Sequence, residues 1–544
     1  MQGVILLPPS IETSNGEKGA ALRILNRMLS LSLPVNRQHV VYIMLEQEAV
    51  SRQDLRLMPV QHRPRYHYTP EPDEWSSLAS ADGLIFWKGR YHVFYQHSRH
   101  GVLHRAPMEW GHAISDDLLH WTQLPVALTP TPGGADEAGC FSGCTVDNDG
   151  VPTIIYTGVV RLDPTVDFEW RGKKFKNFWA GHRQCIATSN DDLLTWEKHP
   201  DNPVLEKGSE TGLNLAPHWH DPVVWREADT WYMLIGGGIE GSGEAYLLYT
   251  SSDLVRWNYL HPLFTSTTEH HSSAPDYFPL DRRHVLLEAR GLVYHVGTCE
   301  EHRFKPEVRG RTDLAVGVVN APKTFRDGRG RRIMMAGIFE NRDEAAQRNA
   351  GWAGVLSLPK LLSVRDDGTL GMTPVPELKT LRSGKRVFRD LALNPDLAPF
   401  LDEVQGDCLD IEADFEPGDA SEFGLRVRSS PDGVEETLIC YRRGENRLCV
   451  NRERSSLDPG VRLDEHGGEF ELAGGEPLKL RIFLDRSVIE IFANGRTCLT
   501  SRIYPSREDS LGIGLFASGG TAKLNAMNIW DMESITLPSN TSKT

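Results

Sequence analysis

The sequence predicts an all-β protein, a five-bladed β-propeller followed by a C-terminal β-sandwich. Three observations carry that reading: a short signature that recurs three times, five hairpins of one type, and a change to short alternating strands from about residue 400.

The signature is Ser115-Asp116-Asp117-Leu118-Leu119-His120-Trp121, then Asn190-Asp191-Asp192-Leu193-Leu194-Thr195-Trp196, then Ser252-Asp253-Leu254-Val255-Arg256-Trp257. Its Trp residues stand 75 and then 61 positions apart, a scale that means stacked supersecondary units. The hairpins are Gly83–Gln96, Gly143–Gly158, Pro222–Gly236, Pro275–Leu287 and Ala321–Gly337. Each has an apolar strand, a polar turn rich in Gly, Asp or Asn, and a second strand rich in Tyr and β-branched residues. Five such units over about 260 residues, with no helical period between them, predict five blades. The first strand of each blade should line the central channel, so the residues just before these strands should converge on one site.

Leu356-Ser357-Leu358-Pro359 closes the fifth blade, and a stretch containing Pro374, Pro376 and Glu377-Leu378 follows. Leu478–Asp485 and Ser487–Ala493 then alternate as strands, and Asn494-Gly495 supplies a hairpin turn, the pattern of a sandwich. The expected organisation is a poorly structured leader over 1–62, the propeller over 63–375, a connector over 376–399, the sandwich over 400–536 and a frayed tail over 537–544.

Composition narrows the function. The 544 residues exceed one ordinary core, and 40% hydrophobic with 24% charged residues is a globular balance. A formal net charge of −15 disfavours a nucleic-acid partner, whose phosphates would be repelled. Eight Cys without a C-x-x-C pair or a His-bearing cluster predict no metal and no disulfide scaffold; small buried side chains are the expected role. No run approaches the roughly 20 apolar residues of a membrane span. Val40–Leu45 is too short and too late for a signal peptide, so a cytoplasmic location is the default expectation. No cofactor is expected, and oligomeric state is not legible.

Several stretches resemble glycoside hydrolase family 32, which holds invertases, levanases, inulinases and fructosyltransferases. They are Arg63–Pro70, Phe94-Tyr95-Gln96, Trp110–Ser115, Phe141-Ser142-Gly143, Gly351–Gly354 and Ser487–Gly495, in the family's order. The resemblance implies two carboxylates about the anomeric carbon, a nucleophile and a general acid, roughly 5 Å apart in a retaining enzyme, plus a third that stabilises charge on the ring. The family places them in W-M-N-D-P-N-G, R-D-P and E-C-P.

Here the first motif, counted back from Gly83, puts Ser80 at the nucleophile's position. The second reads His220-Asp221-Pro222, keeping the stabilising Asp and replacing Arg by His. The third reads Ser273-Ala274-Pro275-Asp276, putting Ser273 at the acid's position. The stretch from Trp75 to Gly83 is two residues longer than the family's, so Asp82 is a candidate relocated carboxylate on the same strand face as Ser80. Glu269 is the candidate acid, with Glu300 and Glu301 as further ones. Two Ser cannot replace the pair unaided, because an unactivated hydroxyl is a weak nucleophile and a poor acid.

Asp221, with Asp82 and Glu269 beside it, is thus the expected catalytic set. The resemblance assigns Gln96, Trp110, Phe141, Ser142 and Asp221 to the furanose subsite, and Ser80, His220 and Ser273 to the sugar-binding surroundings. Three readings stay open: a divergent glycosidase or transferase acting on a β-fructofuranoside, a furanoside-binding protein without turnover, and a propeller that presents surfaces to a protein partner.

Overall fold

The computed structural model describes residues 62–71, 76–99, 107–161, 168–170, 173–175, 181–208, 212–266, 273–289, 291–395 and 400–535. They form a β-propeller followed by a β-sandwich. Five sheets succeed one another, and their first strands are Ser76–Trp87, Gly139–Asn148, Leu215–Glu227, Asp276–Leu280 and Val319–Arg326. The first strand neighbours the second and the fifth, which closes a ring around a channel. Trp352-Ala353 pairs in parallel with Ser76-Ser77, so chain from the end of the ring completes the first sheet.

Turn chemistry explains the hairpins. Trp87 pairs with Arg90 across Lys88-Gly89, and Asn148 pairs with Val151 across Asp149-Gly150. All four turn residues have positive φ, the requirement of a tight hairpin turn. The repeated signature is a second device. Asp117 and Asp253 each accept two backbone N–H groups of the turn that follows, and Asp191 accepts one. Leu118, Leu193 and Leu254 lie within these turns at positive φ and are buried to 1% or less. A side chain in the core thus compensates a strained backbone.

Two six-stranded sheets build the sandwich around one apolar core. Its first strand is Arg382–Leu393, paired with Ala522–Met532. The expected connector over 376–399 is therefore corrected: sandwich structure begins well before residue 400. This edge strand is mostly exposed, and its apolar residues fall in adjacent runs, Val387-Phe388 and Leu391-Ala392-Leu393, so its sequence lacks the alternation that marks a half-buried strand. The expected leader, apart from residue 62, and the expected tail lie outside the described residues.

The seam between propeller and sandwich is held by buried charge. The backbone N–H groups of Arg65, Tyr66 and His67 all donate to Asp485. The His67 ring bridges Asp485 and Glu490, at 2.8 and 3.1 Å. Lys360 donates to the other oxygen of Glu490. Arg63–Pro70 and Ser487–Gly495, distant in sequence, are two sides of one contact.

Candidate active site

Bulges aim the site. In an antiparallel pair, an extra residue on one strand kinks it and redirects the side chains there. Four of the five first strands carry one, between Asp82 and Ile85, Cys140 and Gly143, His220 and Val223, and Asn320 and Lys323. Gly83, Asp221 and Ala321 occupy the bulges at φ of 51, 62 and 46°, and Ala274 adopts 42° at the mouth of the fourth sheet. Gly83 cannot carry a side chain, because a Cβ there would stand 2.6 Å from Thr145 Oγ1. Asp221 is a strained aspartate at a blade mouth, and strain at such a place motivates a functional reading. The strand Ser76–Trp87 has a further register shift between Leu78 and Ala81, and Ser80 and Asp82 lie on either side of its end.

The structure brings Asp82, Asp221 and the Ser273-Ala274 turn together. Asp221 Oδ2 accepts from Ala274 N at 3.1 Å, and Asp221 N donates to Thr157 Oγ1 at 2.8 Å. His220 Nδ1 lies 2.7 Å from the same Oδ2, off the line of a hydrogen bond. Ser80 Oγ donates to Asp82 Oδ2 at 2.6 Å, while Asp82 Oδ1 has no partner. Gln96 Nε2 donates to Ser142 Oγ at 3.0 Å.

The two carboxyls have opposite character. Burial pushes Asp82 up to about 6, opposed by the Ser80 hydrogen bond and the Lys323 ammonium and reinforced by the charge of Asp221. Burial presses on Asp221 too, but the charge of His220 and contact with it, then Lys323 and His182, outweigh burial and hold the carboxyl below its ordinary value. One carboxyl is poised to carry a proton and the other to stay ionised, the division of labour that acid–base sites use.

The other sequence candidates fall in different places. Phe141 and His220 are half-buried, while Ser142, Gln96 and Ser273 are buried with small exposed remainders. Trp110, which the resemblance assigns to the furanose subsite, is packed into the core between blades. It is 0% exposed, packs with Phe94, Leu128, Cys140 and Tyr156, and donates from Nε1 to Phe141 O. Ser80, also fully buried, touches Asp82 rather than solvent. Glu300 and Glu301 sit in an exposed hairpin turn between the third strand of the fourth sheet and its outermost one, away from the channel strand. Glu269 lies outside the described residues.

Sequence reasoning passed over Lys323, His182, His218 and Asp276. Lys323 is buried, donates to Pro275 O at 2.7 Å, and balances Asp82, Asp221 and Asp276. Asp276 and Lys323 also line a cavity of about 400 Å³ with Gly83–Trp87 and Val223–Arg226, which places them along the channel. The alternation His218-Trp219-His220 was the available signal for His218; nothing local marked Lys323.

The fold defines a protein built like a glycosidase. The description "Glycosyl hydrolases family 32 N-terminal domain" matches residues 67–374, and "Glycosyl hydrolases family 32 C terminal" matches 377–531. Sucrose-6-phosphate hydrolase of Zymomonas mobilis is 32% identical over 524 residues, spanning 90% of this chain and 96% of that one. Levanase of Bacillus subtilis is 30% identical over 515 residues, spanning 87% and 71%. Fructan 1-exohydrolase IIa of Cichorium intybus shares the fold at a TM-score of 0.76 and 24% identity, over 87% of this chain and 98% of that one. The chain belongs to glycoside hydrolase family 32, and it is a glycosidase of the fructosidase type. Among the described residues, no helix is long and apolar enough to cross a membrane.

Proposed function

We propose that the protein cleaves or transfers a β-fructofuranoside with Asp82 as the proton donor and Asp221 as the anionic partner. What supports this reading is the placement of two buried carboxyls on the first strands of the first and third sheets, Asp82 held by Ser80 and pushed up by burial, and Asp221 held against Ala274 and His220 and drawn below its ordinary value. The Asp82 proton passes to the glycosidic oxygen as its bond to the anomeric carbon breaks, and Asp221 faces the positive charge left on the ring. Water or a second sugar hydroxyl adds to the anomeric carbon and returns a proton to Asp82. Ser142 Oγ, which accepts from Gln96 Nε2, belongs to the polar surroundings of Asp82. Ser80 and Ser273 stand where the family has its nucleophile and acid, so rates on sucrose, inulin and levan should fall well below those of members with the full set.

A second reading, in which the pocket holds a furanoside without cleaving it, rests on the complete burial of Ser80 and Asp82. Turnover of sucrose and 1-kestose against pH separates the two. The catalytic reading expects kcat to fall as pH rises through about 6, where Asp82 loses its proton, and expects Asp82→Asn to lower it by about 10²–10⁴-fold. Binding without turnover, or turnover that Asp82→Asn leaves intact, would defeat it.

A further inference from the structure

Two cysteines of the sandwich stand directly opposite each other on neighbouring strands. Cys440 lies on Thr437–Arg442 and Cys449 on Arg447–Asn451, and the register pairs them. They are 9 positions apart in sequence, so the hairpin makes the pair and no C-x-x-C spacing announces it. Side chains alternate across a strand, and here the core face belongs to Ile439, Tyr441, Leu448 and Val450. Cys440 and Cys449 therefore point away from that core, and with Phe516 they form a small patch on the sheet's other face. Filling the sandwich core does not account for them.

Glu422, on the adjacent strand Glu422–Ser429, completes the cluster. The two sulfurs and a Glu422 carboxylate oxygen all lie within 4.8 Å of one another. The row through the cysteines runs Gly424, Cys440, Cys449, Gly467, so glycine is the outer neighbour of each thiol. A Cβ at Gly467 would stand 2.8 Å from Cys449 Cβ. Charged side chains of the same face cover the pair. Arg442 Nε donates to Glu422 Oε1 at 2.9 Å, and Arg442 and Arg447 both reach Glu465, at 2.7 and 3.0 Å. Both thiols are free, and at 1% and 0% exposed they are buried under this cover.

The geometry suits a metal ion better than a disulfide. Directly opposed residues of an antiparallel pair keep their Cβ atoms about 4.5–5.5 Å apart, wider than the roughly 3.8 Å of a disulfide. Thiolate bonds of about 2.3 Å to a zinc-sized ion span that gap without drawing the strands together. A carboxylate has no part in a disulfide but is a ligand to such an ion. Arg442 fixes the orientation of that carboxylate, as hydrogen bonds to ligating carboxylates do.

We propose that Cys440, Cys449 and Glu422 form a site for a zinc-type divalent cation, tetrahedral, with solvent in the fourth position. Each thiol gives up its proton to solvent as the ion binds. The two thiolates and the carboxylate outweigh the charge of the ion, and Arg442 and Arg447 offset the remainder. The bound ion ties three consecutive strands of one sheet. The site is independent of the furanoside reading, because Asp82 and Asp221 stand on propeller strands.

The test titrates the full-length reduced protein, stripped with a chelator, with Cd2+ and Co2+ as zinc-like probes, and reads thiolate-to-metal charge-transfer absorbance. The site predicts that this signal saturates at one ion per chain, is displaced by Zn2+, and is lost in Cys440→Ser and in Cys449→Ser. Glu422→Gln should keep the thiolate signal and weaken binding by at least about tenfold. No charge-transfer band in the parent protein, or a band that survives in both serine variants, would overturn the site. Conversion of the pair to a disulfide by oxidised glutathione, with no such band, would overturn it in favour of redox chemistry. Should the serine variants not fold, Glu422→Gln decides alone: a loss of affinity of about tenfold or more supports the site, and a smaller one overturns it.

Discussion

Two regions of this molecule bury charge, and they do so in opposite ways. At the seam, His67, Lys360, Asp485 and Glu490 close a hydrogen-bonded network in which none of these side chains has an orphaned polar atom. A second seam network joins Glu340, Arg342, Arg502 and Tyr504. At the channel mouth, Asp82, Thr145, His182 and His220 all retain buried polar atoms without a hydrogen-bond partner. Asp82 is pushed up by burial, whereas Lys360 and His67 outweigh burial at Glu490 and draw it down to about 2. The seam is finished for stability; the channel is left unfinished, as a site that must receive something else is.

The largest effect that would sharpen this contrast is at the seam. Lys360→Met leaves Glu490 buried with only His67 as a charged partner, and breaking such a pair costs about 3–5 kcal/mol. Denaturant unfolding at neutral pH should show that loss; a change near zero would mean the network is not tight. Next comes Asp221→Ala, which should weaken furanoside binding by about 2 kcal/mol, the scale of a charged hydrogen bond, as read by calorimetry. Unaltered affinity would remove Asp221 from the site. The smallest effect is at Trp110. Trp110→Phe deletes one hydrogen bond to Phe141 O, worth about 1 kcal/mol of stability, and should leave sugar affinity within about twofold. A large loss of affinity would restore Trp110 to the pocket.

The same contrast explains what the sequence shows and what it hides. Hairpins are local, so Lys88-Gly89 and Asp149-Gly150 announce themselves, as does Asp221 before Pro222. The charge balance is not local. Lys323 meets Asp82, Asp221 and Asp276 only because the ring closes, and a lysine in a fifth-blade strand carries no mark of that. Bulges are also silent in sequence, and they decide which of Ser80, Asp82 and Gly83 faces which neighbour. Trp110 shows the converse: its motif is legible, but whether an indole fills a core or walls a pocket depends on packing from Cys140 and Tyr156 in the next blade. The edge strand Arg382–Leu393 escapes because its surface-facing residues carry no alternation.

The channel gives up stability to keep a proton on Asp82. The native protein holds that proton between the unfolded value near 3.8 and about 6, so the native state binds more protons across that window and stability falls as pH rises through it. At 1.36 kcal/mol per unit the cost above about pH 6 is roughly 3 kcal/mol. Asn keeps an acceptor for Ser80 and removes the charge. The decisive measurement is therefore the unfolding free energy of Asp82→Asn against the parent protein across this pH range. Asp82→Asn should be more stable by about 1–3 kcal/mol above pH 6, with the gain vanishing towards pH 4. A variant equally or less stable at every pH would contradict it.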